Sequence, residues 1–201
     1  MFRITDTVKH LLIINVLVFF GSYLLGPARF KLGMFFPIPD NNFQPYQIIT
    51  HMFMHANEMH LFFNMFGLFM FGPPLESVWG PRRFLTYYLI AGFGALGLHL
   101  LATYIEVDDG GSRPYARNVP MVGASGAIFG LLAGFGMIFP NATIMLLFPP
   151  IPMKAKYFVL IYAGIELFLG VSNSGGNVAH FAHVGGALFG VLLVLYWRYK
   201  K

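Results

Sequence analysis

Gly123-Ala124-Ser125-Gly126-Ala127-Ile128-Phe129-Gly130-Leu131-Leu132-Ala133-Gly134 is the stretch on which the reading of the whole chain turns. Its glycines at 126, 130 and 134 recur every four residues, so in a helix they share one face and let a partner backbone approach closely. A serine stands on a glycine-flanked turn at the head of that run. If the helix begins near Ser125, its hydroxyl and amide lie where the first backbone N–H groups have no intrahelical acceptor. Such an end can donate hydrogen bonds to a developing oxyanion. The same letters also suit a plain small-residue packing motif with an incidental serine, so the rest of the chain must decide between the two.

Composition places that stretch in a membrane. Of 201 residues, 57% are hydrophobic and 10% are charged, against roughly 25% charged residues in soluble domains. The absence of cysteine excludes thiol nucleophiles, thiolate metal sites and disulfides. The net charge of +5 comes from basic residues grouped at the ends of apolar runs. That pattern fits membrane orientation and not a nucleic-acid partner.

Six apolar segments are predicted, at about 8–25, 51–71, 84–105, 125–139, 157–171 and 178–199. They define an all-α, polytopic membrane bundle forming a single domain over 1–201. The fourth has only about 15 residues and covers roughly 22 Å at 1.5 Å per residue, short of the ~30 Å hydrocarbon core. Its start is therefore expected below the membrane surface, beside a water-filled cavity, the setting in which non-helical backbone is tolerated at depth. Six spans put both termini on one side. Arg3, Lys9, Arg82, Arg83, Lys154, Lys156, Arg198, Lys200 and Lys201 fall on that side, and Arg29, Lys31, Arg113 and Arg117 on the other. The positive-inside rule makes the nine-residue side cytoplasmic and turns Ser125 toward the external face. The first segment reads as a retained span, without the small-residue cleavage site of a signal peptide. Residues 26–50, rich in proline and aromatics, read as a partly structured loop in the interface. Residues 107–117 read as a solvated loop, and 172–177 have the Ser/Gly/Asn chemistry of a mobile flap.

Polar residues inside these runs need an account, because ionisable groups in a membrane are expensive. Ala179, His183, Gly186 and Gly190 fall on one face of the last segment, small except for the histidine. Packed against the glycine face of the fourth segment, it could bring His183 within reach of Ser125 as a general base. The bland alternative is a buried histidine bonded to a carbonyl, and His180, a quarter-turn away, reads as structural. His60 and Asn64, four apart, can aim N–H donors at one point as an oxyanion hole requires, or form an interhelical polar clamp. His51 and His55 share that spacing, which zinc sites use. The H-E-x-x-H pattern is missing, however, and no metal is expected. No aspartate lies within a predicted span, so an aspartate-based intramembrane protease does not fit either.

Gly123-x-Ser125-Gly126, His183-x-x-Gly186-x-x-x-Gly190 and His60-x-x-x-Asn64 together resemble the signature of the rhomboid family of intramembrane serine proteases. Glu76-x-x-x-Gly80 followed by Arg82 and Arg83 resembles that family's cytoplasmic turn. The resemblance implies a Ser–His dyad without an acid: Ser125 as nucleophile and His183 as general base, then acid. His60, Asn64 and the Ser125 amide would hold the oxyanion, and Gly123 would supply the close turn. Phe129 would stack on the histidine, in place of the family's more familiar tyrosine, while Gly126 and Gly186 would support the close packing. No cofactor is implied. The implied substrates are membrane proteins cut in or near a transmembrane helix, and the chain resembles the minimal six-span form of a bacterial inner membrane. Tyr46-Gln47 stands where family members often carry Trp-Arg, which bears on how the first loop is anchored. Glu166, on a helix discussed in the family as a lateral gate, would latch that helix, face a cavity or make a structural hydrogen bond. Two rivals are a non-catalytic relative that binds membrane clients and a small channel or transporter using the same polar residues as a pathway.

Overall fold

The computed structural model describes residues 3–37, 42–108, 119–145, 150–172 and 179–200. Seven α-helices organise them: α1 (Asp6–Tyr23), α2 (Gln47–Thr50), α3 (Glu58–Trp79), α4 (Pro81–Asp108), α5 (Ser125–Ile138), α6 (Ala155–Ser172) and α7 (His180–Tyr199). Short 3-10 turns cover Gly26–Leu32 and His51–Phe53. Arg113, Arg117, Lys201, most of the 107–117 loop and residues 173–177 of the expected flap lie outside the described residues.

Among the described residues, four helices are long and apolar enough to cross a membrane: α3, α4 over Pro81–Ile105, α6 and α7. α5, at 14 residues, is a shorter apolar helix, and α1 carries Asp6 and Lys9 in its opening turns. The chain is thus a helical integral membrane protein, with large side chains such as Leu17, Phe20, Leu160, Phe168 and Val171 facing outward.

Both boundaries of the second span depart from the sequence reading. The second span begins at Glu58, not near residue 51, because Asn57 caps α3 by accepting the His60 amide at 2.9 Å. That helix continues through Pro73 and Pro74 to Trp79, ending where Gly80 takes φ +76. Glu76 is consequently a second buried helical carboxylate beside Glu166. It receives the Thr5 hydroxyl and the amides of Thr7 and Val8, each amide at 3.0 Å. Thr5, the N-cap of α1, makes no side-chain capping bond, so a carboxylate from α3 satisfies the first donors of α1 instead. The all-α expectation also meets a small exception between α5 and α6. There β1 (Thr143–Met145) pairs antiparallel with β2 (Pro152–Lys154), Ile144 opposite Met153.

The core gathers α1, α3, α4, α5 and α7 around Leu68, Leu75, Phe84, Tyr87, Tyr88 and Leu131. Within it α5 and α7 meet along their glycine faces. A Cβ on Gly186 would fall inside the Gly126 carbonyl, and one on Gly190 would lie 3.1 Å from both the Gly130 Cα and its carbonyl oxygen. Tyr87 of α4 wedges in beside them, donating its hydroxyl to the Gly130 carbonyl at 2.7 Å. Small residues make this approach possible where lipid tails provide no hydrophobic drive between helices.

Gly186→Ala is therefore expected to lower stability in detergent by about 1–3 kcal/mol, the range for overpacking a filled core. Gly97→Ala, where a Cβ meets nothing within 4 Å, should be neutral or raise stability by up to about 1 kcal/mol through helix propensity. Chemical unfolding midpoints of the two variants, measured together, check both signs.

Candidate active site

The approach to Ser125 is built before the helix starts. Gly123 has φ +118, a backbone state that side-chain-bearing residues rarely adopt, and donates its amide to the His51 carbonyl at 2.9 Å. A Cβ there would lie 2.7 Å from the His60 ring, so glycine also makes room for that imidazole. Two residues earlier, Met121 exchanges both backbone hydrogen bonds with Met34 of the first loop, at 2.8 and 2.9 Å. The chain reaches Ser125 as the first residue of α5, and the N-cap residue, Ala124, makes no side-chain capping bond.

Ser125 Oγ lies 2.8 Å from His183 Nε2. The two are 58 residues apart in sequence and meet because Gly126 and Gly186 bring their helices into contact immediately beyond them. Phe129, one turn along α5, stacks on the His183 ring at 4.2 Å with an interplanar angle of 7°. The imidazole is thus held on its face by an aromatic ring and at Nε2 by a hydroxyl.

On α3, the Ala56 amide approaches His60 Nδ1 at 3.4 Å, which makes Nδ1 the acceptor and leaves Nε2 to carry the proton. Asn64 is buried, and Nδ2 donates one of its hydrogens back to the His60 carbonyl at 2.7 Å. Its second N–H is not engaged by that bond. The position of α3 against α5 is fixed nearby, where a Cβ on Gly67 would meet Ile128 at 2.8 Å.

His51 and His55 do not share a helix face. His51 lies in a 3-10 turn and pairs Nδ1 with the Gln47 carbonyl at 2.8 Å. His55 follows that turn and packs edge-on against His60. Burial, and then the charge of His60, push His55 down to about 4, so its ring is neutral at physiological pH.

From the sequence Glu166 is open to three readings and His180 reads as structural. Glu166 Oε2 stands 2.8 Å from His183 Nδ1 and 2.6 Å from His180 Nδ1. The implied arrangement without an acid is therefore not the geometry found: a carboxylate adjoins the far side of the His183 imidazole. The ligand atoms of Glu166, His180 and His183 lie within 4.8 Å of one another, a set that could hold a metal ion. The two measured contacts have hydrogen-bond length and radiate from one oxygen, which accounts for the cluster as an imidazole–carboxylate–imidazole bridge.

Residues 42–200 match the rhomboid domain, and the chain belongs to the rhomboid family. It is 33% identical over 193 residues to "Rhomboid protein 1, mitochondrial" of Saccharomyces cerevisiae, covering 93% of this chain and 52% of that protein. A Bacillus subtilis relative whose name includes the words rhomboid protease is 33% identical over 156 residues, 78% of this chain and 69% of that one. "Rhomboid-like protease 3" of Toxoplasma gondii is 30% identical over 172 residues, covering 83% and 57%. The chain thus spans between about half and seven-tenths of these relatives. They carry mitochondrial as well as bacterial affiliations, so family membership does not select the bacterial membrane expected from the sequence.

Gln47 answers the question of loop anchorage. Fully buried, it donates from Nε2 to the carbonyls of Lys31 and Asn42, each at 2.9 Å, and accepts the Phe35 amide at 3.3 Å. Gln47→Ala strands those groups and is expected to cost about 1–3 kcal/mol. Limited proteolysis in bicelles should show faster cutting within 26–46 while α3 to α7 stay protected.

Proposed function

We propose that this chain is an intramembrane serine endopeptidase that cleaves membrane proteins in or near a transmembrane helix. The observation that carries the reading is the 2.8 Å contact between Ser125 Oγ and His183 Nε2, at the head of a helix inside an apolar bundle. In this reading Ser125 Oγ attacks the scissile carbonyl carbon while His183 Nε2 takes the hydroxyl proton. The imidazolium then protonates the leaving amine, and an ester links the new carboxyl terminus to Ser125. Water, deprotonated by His183, hydrolyses that ester and returns the serine.

The oxyanion would be held by the Ser125 amide, His60 Nε2–H and the second N–H of Asn64. Gly123 would keep the backbone and the His60 ring close enough for these donors to converge. A helical substrate must unwind locally before its carbonyl is exposed, so helix-breaking residues near the cleaved bond would favour it.

The membrane arrangement belongs to the same proposal. α1, α3, α4, α5, α6 and α7 would form six spans in one domain, with the head of α5 below the external surface. The shortness of α5 supports this, as do buried polar atoms on His51, His55 and Asn64 with no hydrogen-bond partner among the described residues, which suit a wet pocket. In this reading the termini would face the cytoplasm across the inner membrane of a bacterium, a placement that the count of nine basic residues against four supports for the orientation alone. The partners would be the lipid bilayer and membrane-protein substrates.

Ser125→Ala and His183→Ala should each abolish cleavage of a single-span test substrate and labelling by a fluorophosphonate, with the detergent-extracted protein still folded. Asn64→Ala should slow cleavage by about 10²-fold, the order for one lost oxyanion donor. Undiminished labelling of the Ser125→Ala variant would remove that serine from the mechanism.

A further inference from the structure

α6 is an outward-facing helix with one buried polar exception. Along its 18 residues only Ala155 and Glu166 are buried, while Leu160, Ile161, Ile165, Leu167 and Phe168 are exposed to the bilayer side. A carboxylate turned inward from such a helix must find partners, because an unpaired ionisable group in a membrane interior is strongly unfavourable. Its partners are the Nδ1 atoms of His180 and His183, at 2.6 and 2.8 Å. These two residues sit three apart, about one turn, on α7.

The proposed chemistry sets the tautomer. To take a proton from Ser125, His183 must offer a lone pair at Nε2, which places its proton on Nδ1. That proton points at Glu166 Oε2, an acceptor when ionised. Stacking on Phe129 holds the ring plane, but rotation within that plane and the choice of tautomer are left to the carboxylate. We infer that Glu166 is a positioning residue for the His183 base: it holds the Nδ1–H tautomer and stabilises the imidazolium formed when Ser125 gives up its proton. His180 donates to the same oxygen from the other side and keeps the carboxylate facing the base. The inference rests on the Ser125–His183 reading above and adds a third group to it.

The groups that face His183 come from every neighbouring element. Glu166 approaches from α6, whose Tyr162 lies beside Phe129 and close enough to feel the charge of Glu166. His180 lies on its own helix, and His60 on α3 and His99 on α4 are close enough to feel the charge of His183. Glu166 is the only anion among these groups. Removing its charge therefore favours the neutral imidazole, and the acidic limb of the rate profile moves to lower pH.

The experiment uses purified full-length protein in proteoliposomes with a single-span substrate, comparing wild type, Glu166→Gln and Glu166→Asp. Glu166→Gln is expected to lower kcat by about 10²-fold or more with KM little changed, and to move the acidic limb of kcat down by about one pH unit or more. Glu166→Asp keeps the charge and should recover part of the rate together with the wild-type limb. A purely structural latch would instead alter the unfolding midpoint or KM and leave the limb in place, and that result overturns the inference. So does wild-type activity that is lost to a strong chelator and regained with zinc, which would assign the three ligand atoms to a metal. If wild type is active and Ser125→Ala is not, an unchanged Glu166→Gln profile sinks the positioning role alone. If wild type neither cleaves nor labels, both readings fall.

Discussion

Everything in this molecule depends on two helices touching through their backbones. Gly126 and Gly130 on α5 face Gly186 and Gly190 on α7 so closely that no side chain fits between them. In lipid, where burying apolar side chains gains little, such contacts hold helices together by close packing. The contact also fixes the relative height and rotation of the two helices. Ser125 precedes the first glycine of one face and His183 precedes the first glycine of the other, so the packing that joins the helices also joins the two side chains. Tyr87 extends that junction to α4 through its bond to the Gly130 carbonyl.

Around that junction the fold repeatedly solves the problem of placing polar groups in an apolar bundle by borrowing partners from distant segments. Glu76 caps a helix that begins 70 residues before it. Gln47 ties three strands of the first loop to one amide group, and His51 lends its carbonyl to Gly123. Each of these bonds reaches across the sequence to hold the turn that presents Ser125 or the elements that frame it. The Glu166 bridge is the same device applied to the other side of the imidazole.

What the sequence made legible was what local spacing encodes. Gly126, Gly130 and Gly134 declare a helix face, as do Ala179, His183, Gly186 and Gly190, and their complementarity brought Ser125 and His183 together on paper. The stacking role of Phe129 is implied by the resemblance to the rhomboid signature and not by spacing. Glu166 was harder to read because its partners lie 14 and 17 residues on, beyond the end of its own helix. No periodicity links residues across such a break, so its readings stayed open. The start of α3 is masked in the sequence because apolar residues run through Met52, Phe53 and Met54 ahead of the Asn57 cap. The β1–β2 hairpin left no alternation long enough to count, and the anchoring role of Gln47 depends on carbonyls up to 16 residues away. Motifs carried the site; side chains reaching over long separations carried its support.

The most direct test is a dipolar-coupling measurement by solid-state NMR in lipid bilayers, with carbon label in the Ser125 side chain and nitrogen label in the His183 ring. The account predicts, in the wild type, the short-range coupling between the Ser125 side-chain carbon and His183 Nε2 that follows from the 2.8 Å contact between Oγ and that nitrogen, and its loss when Gly186→Val forces the helices apart. A wild-type protein showing no such coupling, with the serine and imidazole facing different neighbours, would contradict it.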